Sequence, residues 1–143
     1  MVLRLLRPTL NTRFVIDWDW FQRNRMNPQL AVGNQLCYQC RREFEEGLPV
    51  EEVDWVDSET AEVSRIDSMR EHILVHCQWK PDYINTTTPL STAIFRALLA
   101  NNNRPLSVAE LTQRLGRTDP ETILRLLTHG EVKNGIVPMR DGH

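Results

Sequence analysis

Cys37-Tyr38-Gln39-Cys40 and His72-Ile73-Leu74-Val75-His76-Cys77 hold all three cysteines and two of the four histidines of a 143-residue chain. Scattered structural residues do not gather in this way. Cys-x-x-Cys is a turn that lets two thiolates reach one ion at about 2.3 Å. His72 and His76 are four apart, so on a helix they share a face, as paired imidazole ligands must. His72 with Cys77 is the other pair open to that helix, if its end loosens, and this choice leaves no spare thiol. Either pair completes a tetrahedral Cys/His set with no open position, which fits a structural Zn2+ site better than a catalytic one. The competing readings are a redox Cys-x-x-Cys, which ordinarily sits near a βαβ pattern not visible here, and three unrelated buried cysteines.

With 41% hydrophobic residues, the chain can bury one ordinary core or two small ones. No apolar run approaches the roughly 18 to 20 residues that cross a bilayer, and Met1 opens no signal-peptide pattern. A cytoplasmic, non-membrane protein is therefore expected, and reduced cytosolic thiols favour metal over disulfides. The formal net charge of −2 is unevenly spread. Residues 1–42 carry seven arginines against Asp17 and Asp19 (+5), residues 43–88 three basic against twelve acidic residues (−9), and residues 89–143 seven basic against five acidic (+2). The acidic middle reads as a solvated face or as an attractor for the basic N-terminal arm.

Residues 1–13, with Pro8 inside, read as that arm or as a short edge strand. Phe14 to Phe21 (FVIDWDWF) alternates with period two, which predicts a strand with Trp18 and Trp20 on its buried face. Their neighbours Arg13, Arg23 and Arg25 leave open a nucleic-acid stacking platform, although aromatic burial in a core is the commoner use. Asn27-Pro28 and Gly33-Asn34 mark turns, and residues 41–49 read as a polar connector. Val53 to Val56 and Ala61 to Ile66 flank the polar Asp57-Ser58-Glu59-Thr60, predicting a β-hairpin, with a helix from about Thr60 as its rival. Asp67 then caps a helix over Ser68 to Trp79, ended by Pro81.

Residues 81–90 (PDYINTTTPL) lack periodicity and are read as a linker between a module at 1–80 and a domain at 91–140. In that domain Ser91 can cap a first helix through Ala100, and residues 101–105 (NNNRP) are a break after it. Ser107-Val108-Ala109-Glu110 is a capping box opening a second helix, which Gly116 ends, and Asp119-Pro120 starts a third. Gly130 stops it, and Asn134-Gly135 within Val132 to Met139 predicts a two-residue hairpin.

Two resemblances follow from these residues. The order of Cys-x-x-Cys knuckle, hairpin and ligand-bearing helix over about 35–80 resembles zinc fingers of the ββα and treble-clef kinds. The chain departs from them in the thirty-one residues between Cys40 and His72 and in the late placing of the histidines on their helix. Residues 91–139, with Ile123-x-x-Leu126-x-x-x-Gly130-x-Val132 at the third helix, resemble the winged helix-turn-helix superfamily. The expected fold is therefore α+β, a zinc-stapled hairpin/helix module followed by a winged helix.

The second resemblance implies that the third helix enters a DNA major groove while the wing touches the backbone. Its outer face would show Thr118, Thr122 and Arg125, with Arg125 reading a guanine edge and Thr122 a phosphate or thymine methyl. Arg114, Arg117 and the wing residue Lys133 would neutralise phosphates, and Glu121 works against them. The expected function is a zinc-binding, DNA-binding transcriptional regulator. The alternative is a non-enzymatic protein-interaction adaptor with structural zinc, and self-association stays open. No catalysis is expected: the chain lacks a Gly-rich phosphate loop, a His-Glu-x-x-His helix and a nucleophile elbow, and it reverses the zinc-deaminase order.

Overall fold

Phe14 and Ile16 are buried on one face of β1 (Arg13–Ile16), which lies in the middle of a three-stranded antiparallel sheet. The computed structural model describes residues 7–139, and in it β1 pairs on one side with β4 (Leu106–Ser107) and on the other with β5 (Ile136–Pro138). The register sets Phe14 opposite both Leu106 and Pro138, and Ile16 opposite Ile136. Where β4 runs out, Asn103 replaces it. Its side chain accepts from the Ile16 N–H at 2.8 Å and donates to the Ile16 carbonyl at 2.9 Å.

The strand expected through Phe21 stops at Ile16 because Asp17 caps a helix instead. Its carboxylate accepts from the Asp19 N–H at 3.1 Å and pairs with Arg23 at 2.8 Å, opening α1 (Trp18–Arg23). Only Phe21 of this helix is fully buried; Trp18 lies half-buried under the Arg70 guanidinium, and Trp20 meets Phe21 edge-on. Asn27 caps the short α2 (Pro28–Gly33). The stretch read as a polar connector is largely helical too: α3 (Tyr38–Glu45) begins at Cys37 and ends before Gly47, whose φ of 118° suits only glycine.

The hairpin of β2 (Glu52–Val56) and β3 (Val63–Asp67) forms as the alternating pattern predicts, with Glu52 opposite Asp67 and Val56 opposite Val63. Asp57 closes its turn by accepting from the Glu59 and Thr60 N–H groups. Asp67 then caps α4 (Ser68–Val75) through the Arg70 N–H, as expected. A single 3-10 turn, Cys77–Trp79, follows.

The helices α5 (Leu90–Ala100), α6 (Val108–Leu115) and α7 (Pro120–Thr128) stand where their signals place them. Pro89 rather than Ser91 occupies the cap of α5. Ser107 and Glu110 form the reciprocal capping box of α6, Gly116 ends it with φ 65°, and Asp119 caps α7. The fold is α+β, with seven α-helices and two small antiparallel sheets among the described residues.

The hairpin expected over Val132 to Met139 does not form. Asn134 and Gly135 do adopt left-handed backbone, but β5 finds its partner in β1, and Val132 and Lys133 join no strand. A distant strand outcompetes the local turn because it buries Phe14 and Ile16 at the same time.

One buried cluster runs through the molecule, from Phe14 and Phe21 through Cys40, Ile73 and Cys77 to Phe95, Leu111 and Ile123. Residues 81–90 therefore do not divide the interior into separate cores. Tyr83 is buried, its hydroxyl donates to the Arg96 carbonyl at 2.7 Å, and Arg96 donates back to the Tyr83 carbonyl at 2.6 Å.

Candidate metal centre

Cys37 and Cys40 sit at the start of α3, one as its cap residue and one in its first turn, so both thiols face the same way. The opposing groups come from the point where α4 gives out. The His76 N–H still reaches the His72 carbonyl at 2.8 Å, but His76 itself has φ −126° and ψ −60°, far from helical values. On an unbroken helix two consecutive residues would point about 100° apart. The break turns both His76 and Cys77 toward α3.

The result is a four-residue cluster. The ligand atoms of Cys37, Cys40, His76 and Cys77 all lie within 4.8 Å of one another, close enough to hold a metal ion. His76 Nδ1 is 3.5 Å from the sulfur of Cys37 and 3.5 Å from that of Cys40. The Cys37 N–H donates to the Cys77 sulfur at 3.2 Å, fastening the two halves even at backbone level. Cys40 and Cys77 are buried, Cys37 and His76 half-buried, and all three thiols are free.

Burial opposes ionisation at all three thiols, but not equally. At Cys37, donation from the Cys40 N–H and from the Cys77, His76 and Cys40 side chains outweighs it, bringing the thiol down to about 7. Cys40 is pushed well up, first by burial and then by the neighbouring Cys37 and Cys77 sulfurs. Cys77 is raised by burial despite the Cys37 N–H. A cation at the centre removes this conflict by rewarding every thiolate at once.

His72 stands outside the four. Both ligand pairs expected from the sequence contain it, whereas the structure pairs His76 with Cys77 and leaves His72 Nδ1 at 3.3 Å from the Cys40 sulfur. The reason is the helix break, which favours the last two residues of the segment over its second turn. The Phe44 ring meets the His72 imidazole edge-on at 4.9 Å, and Glu43 joins Cys40 and His72 in a second close group. A cavity of about 230 Å³ flanks the cluster, with Cys37, Cys77, Arg41 and Arg96 among its walls.

The residues expected to touch DNA are not gathered in one free surface. Arg117 donates to the carbonyls of Asn85 (2.7 Å) and Thr88, latching the 85–88 turn. Arg114 donates to the Asn101 side chain at 3.2 Å. Thr118 and Thr122 are half-buried, while Arg125 and Lys133 are exposed. Arg7 and Pro8 join Glu121, Leu124, Arg125 and His129 around one groove, so these two residues of the N-terminal arm border the outer face of α7, and residues 1–6 of the arm lie outside the described residues.

Asn101-Asn102-Asn103 is more than the break that its sequence suggests. Each side chain ties a different part of the fold: Asn101 takes Arg114, Asn102 takes Arg70 and Ser64, and Asn103 takes β1. Left-handed backbone at Asn102 and Asn103, which asparagine tolerates better than most residues, makes that possible. Three consecutive asparagines after a helix are the available signal.

Comparison with protein-family models, with curated proteins and with solved structures finds no match to this chain. No helix among the described residues is long and apolar enough to cross a membrane.

Proposed function

We propose that the protein is a zinc-binding, non-enzymatic regulator in which Cys37, Cys40, His76 and Cys77 hold one structural Zn2+ and the body so fixed presents α7 to DNA. The single observation that carries the metal reading is the four-atom cluster. Zinc with sulfur at about 2.3 Å and nitrogen at about 2.0–2.1 Å has a tetrahedral S···N edge of about 3.6 Å. Two of the three S···N separations here, from His76 to Cys37 and to Cys40, are 3.5 Å. Three thiolates and an imidazole suit Zn2+ among common divalent ions. Because side chains fill all four positions, the donor set supports a structural ion rather than a catalytic one.

The DNA reading is supported by the capped α6–turn–α7 unit and by Arg125 and Lys133 at its exposed rim. Specific observations favour the adaptor as a second reading. Arg117 is committed to the 85–88 turn, Glu121 shares the α7 groove, and next to the metal ligands Tyr38 is 75% and Trp79 73% exposed. Exposed aromatics of that size are what protein interfaces use as anchors.

Metal content of the purified protein decides the zinc reading, with one zinc per chain expected and none in Cys77→Ser. Binding to random duplex DNA at low and moderate salt decides the DNA reading. Affinity that falls steeply with salt supports the regulator, and absence of binding leaves the adaptor.

A further inference from the structure

A metal-bound thiolate keeps much of its negative charge, and a buried one is held best when an N–H group points at it. The Cys77 sulfur is served by backbone: the Cys37 N–H donates to it at 3.2 Å. The Cys40 sulfur is different. Its residue is 2% exposed, and His72 Nδ1 lies 3.3 Å from it. That separation is an ordinary N–H···S contact.

The imidazole is also held in place. Phe44 contacts the His72 ring edge-on at 4.9 Å from one turn beyond Cys40, and the His72 carbonyl accepts the His76 N–H at 2.8 Å. His72 thus spans the two helices that the ion joins, without being needed to complete the set of four.

We infer that His72 is a positioning residue for the metal centre, donating its Nδ1–H to the buried Cys40 thiolate as the Cys37 N–H does to the Cys77 sulfur. This rests on the zinc reading. The consequence is that His72 governs how tightly the ion is kept and how strongly Cys40 donates to it, while contributing no bond of its own.

The test uses the full-length protein loaded with Co2+, together with zinc affinity measured by chelator competition. The variants are His72→Leu, which removes the donor, and His72→Asn, whose amide can present an N–H near the Nδ1 position. Both should keep the intense visible bands of four-coordinate cobalt at one ion per chain. His72→Leu should lose roughly 10- to 100-fold in zinc affinity, as removal of outer partners does, and shift the sulfur-to-cobalt charge-transfer band. His72→Asn should recover most of both. If His72→Leu does not fold, His72→Phe is read the same way.

Unchanged affinity and spectrum in the leucine variant would overturn the inference. So would collapse of the four-coordinate bands in both variants, which would make His72 a ligand, and so would two cobalt ions per wild-type chain, which would place a second ion among Cys40, Glu43 and His72. Failure of the wild-type protein to bind cobalt or zinc at all would instead remove the zinc reading beneath it.

Discussion

The Asp17 N–H donates to the Gly135 carbonyl at 2.8 Å, and a Cβ on residue 135 would stand 2.8 Å from the Asp17 carbonyl oxygen. These two residues, 118 positions apart, fix where β1 ends against the turn that precedes β5. Gly135 has φ +70°, so alanine there meets both a left-handed backbone penalty of about 1–2 kcal/mol and a backbone clash that no side-chain movement relieves. Gly135→Ala should lower thermal stability markedly. Asn134→Gly, at the neighbouring φ of 55°, should be tolerated, and the two melting curves compared side by side check the claim.

Asn103 should be the most sensitive of the three asparagines. Its amide closes both hydrogen bonds of Ile16, and truncation leaves a largely buried N–H and carbonyl without partners, at about 1–3 kcal/mol each. Asn103→Ala should therefore cost more than Asn101→Ala in a urea titration. Asn103→Asp keeps the acceptor and should fall between them; equal losses at 101 and 103 would count against the strand-like role.

Metal removal should loosen α3 and the end of α4 before the rest of the core. Chelation ought to lower the melting temperature and expose the Cys37 thiol to a disulfide reagent. His76→Ala and Cys77→Ser should give the same result without chelator. Hydrogen exchange on apo and loaded protein checks the location, since faster exchange confined to α7 would contradict it.

Acid should act through the helix and turn caps. The Asp119 carboxylate is held below the ordinary value, chiefly by the Thr122 N–H, and Asp57 likewise by the Thr60 and Glu59 N–H groups. A folded-state pKa lower than the unfolded one adds stability that is complete above the unfolded value and lost as pH falls through the folded one. Stability should thus decline below roughly pH 4. Asp119→Asn, still a competent cap, should flatten part of that decline in denaturant titrations at stepped pH.

The arginines divide into two kinds, and mutation should separate them. Arg117→Ala removes the latch on the Asn85 and Thr88 carbonyls and should lower stability. Arg125→Ala and Lys133→Ala change exposed side chains and should leave stability within about 0.5 kcal/mol of wild type, while weakening any salt-dependent DNA binding. Unaltered DNA affinity in both would turn attention to the face bearing Tyr38 and Trp79.

What the sequence reveals here is what neighbours decide among themselves. The capping box at Ser107 and Glu110, the Asp67 and Asp119 caps and the β2–β3 hairpin depend on contacts within a few residues, and all are found. Asp17 is ambiguous because it falls at an alternating position, so one residue serves equally as a strand's outward side chain and as a helix cap. Cys37 hides a helix in the same way, since a ligand turn and a helix start look alike. The pairing of β1 with β5 has no local signature. The Cys/His cluster is legible as residue types, but the choice of His76 over His72 depends on one non-helical pair of backbone angles.

The central position of β1 also bears on how the chain reaches its final form. A ribosome releases Phe14 and Ile16 long before Leu106 and Ile136, so this strand waits with both flanks unclaimed until its partners emerge. That sheet can close only after Ile136 has emerged, and until then the apolar side chains of β1 lack their native partners.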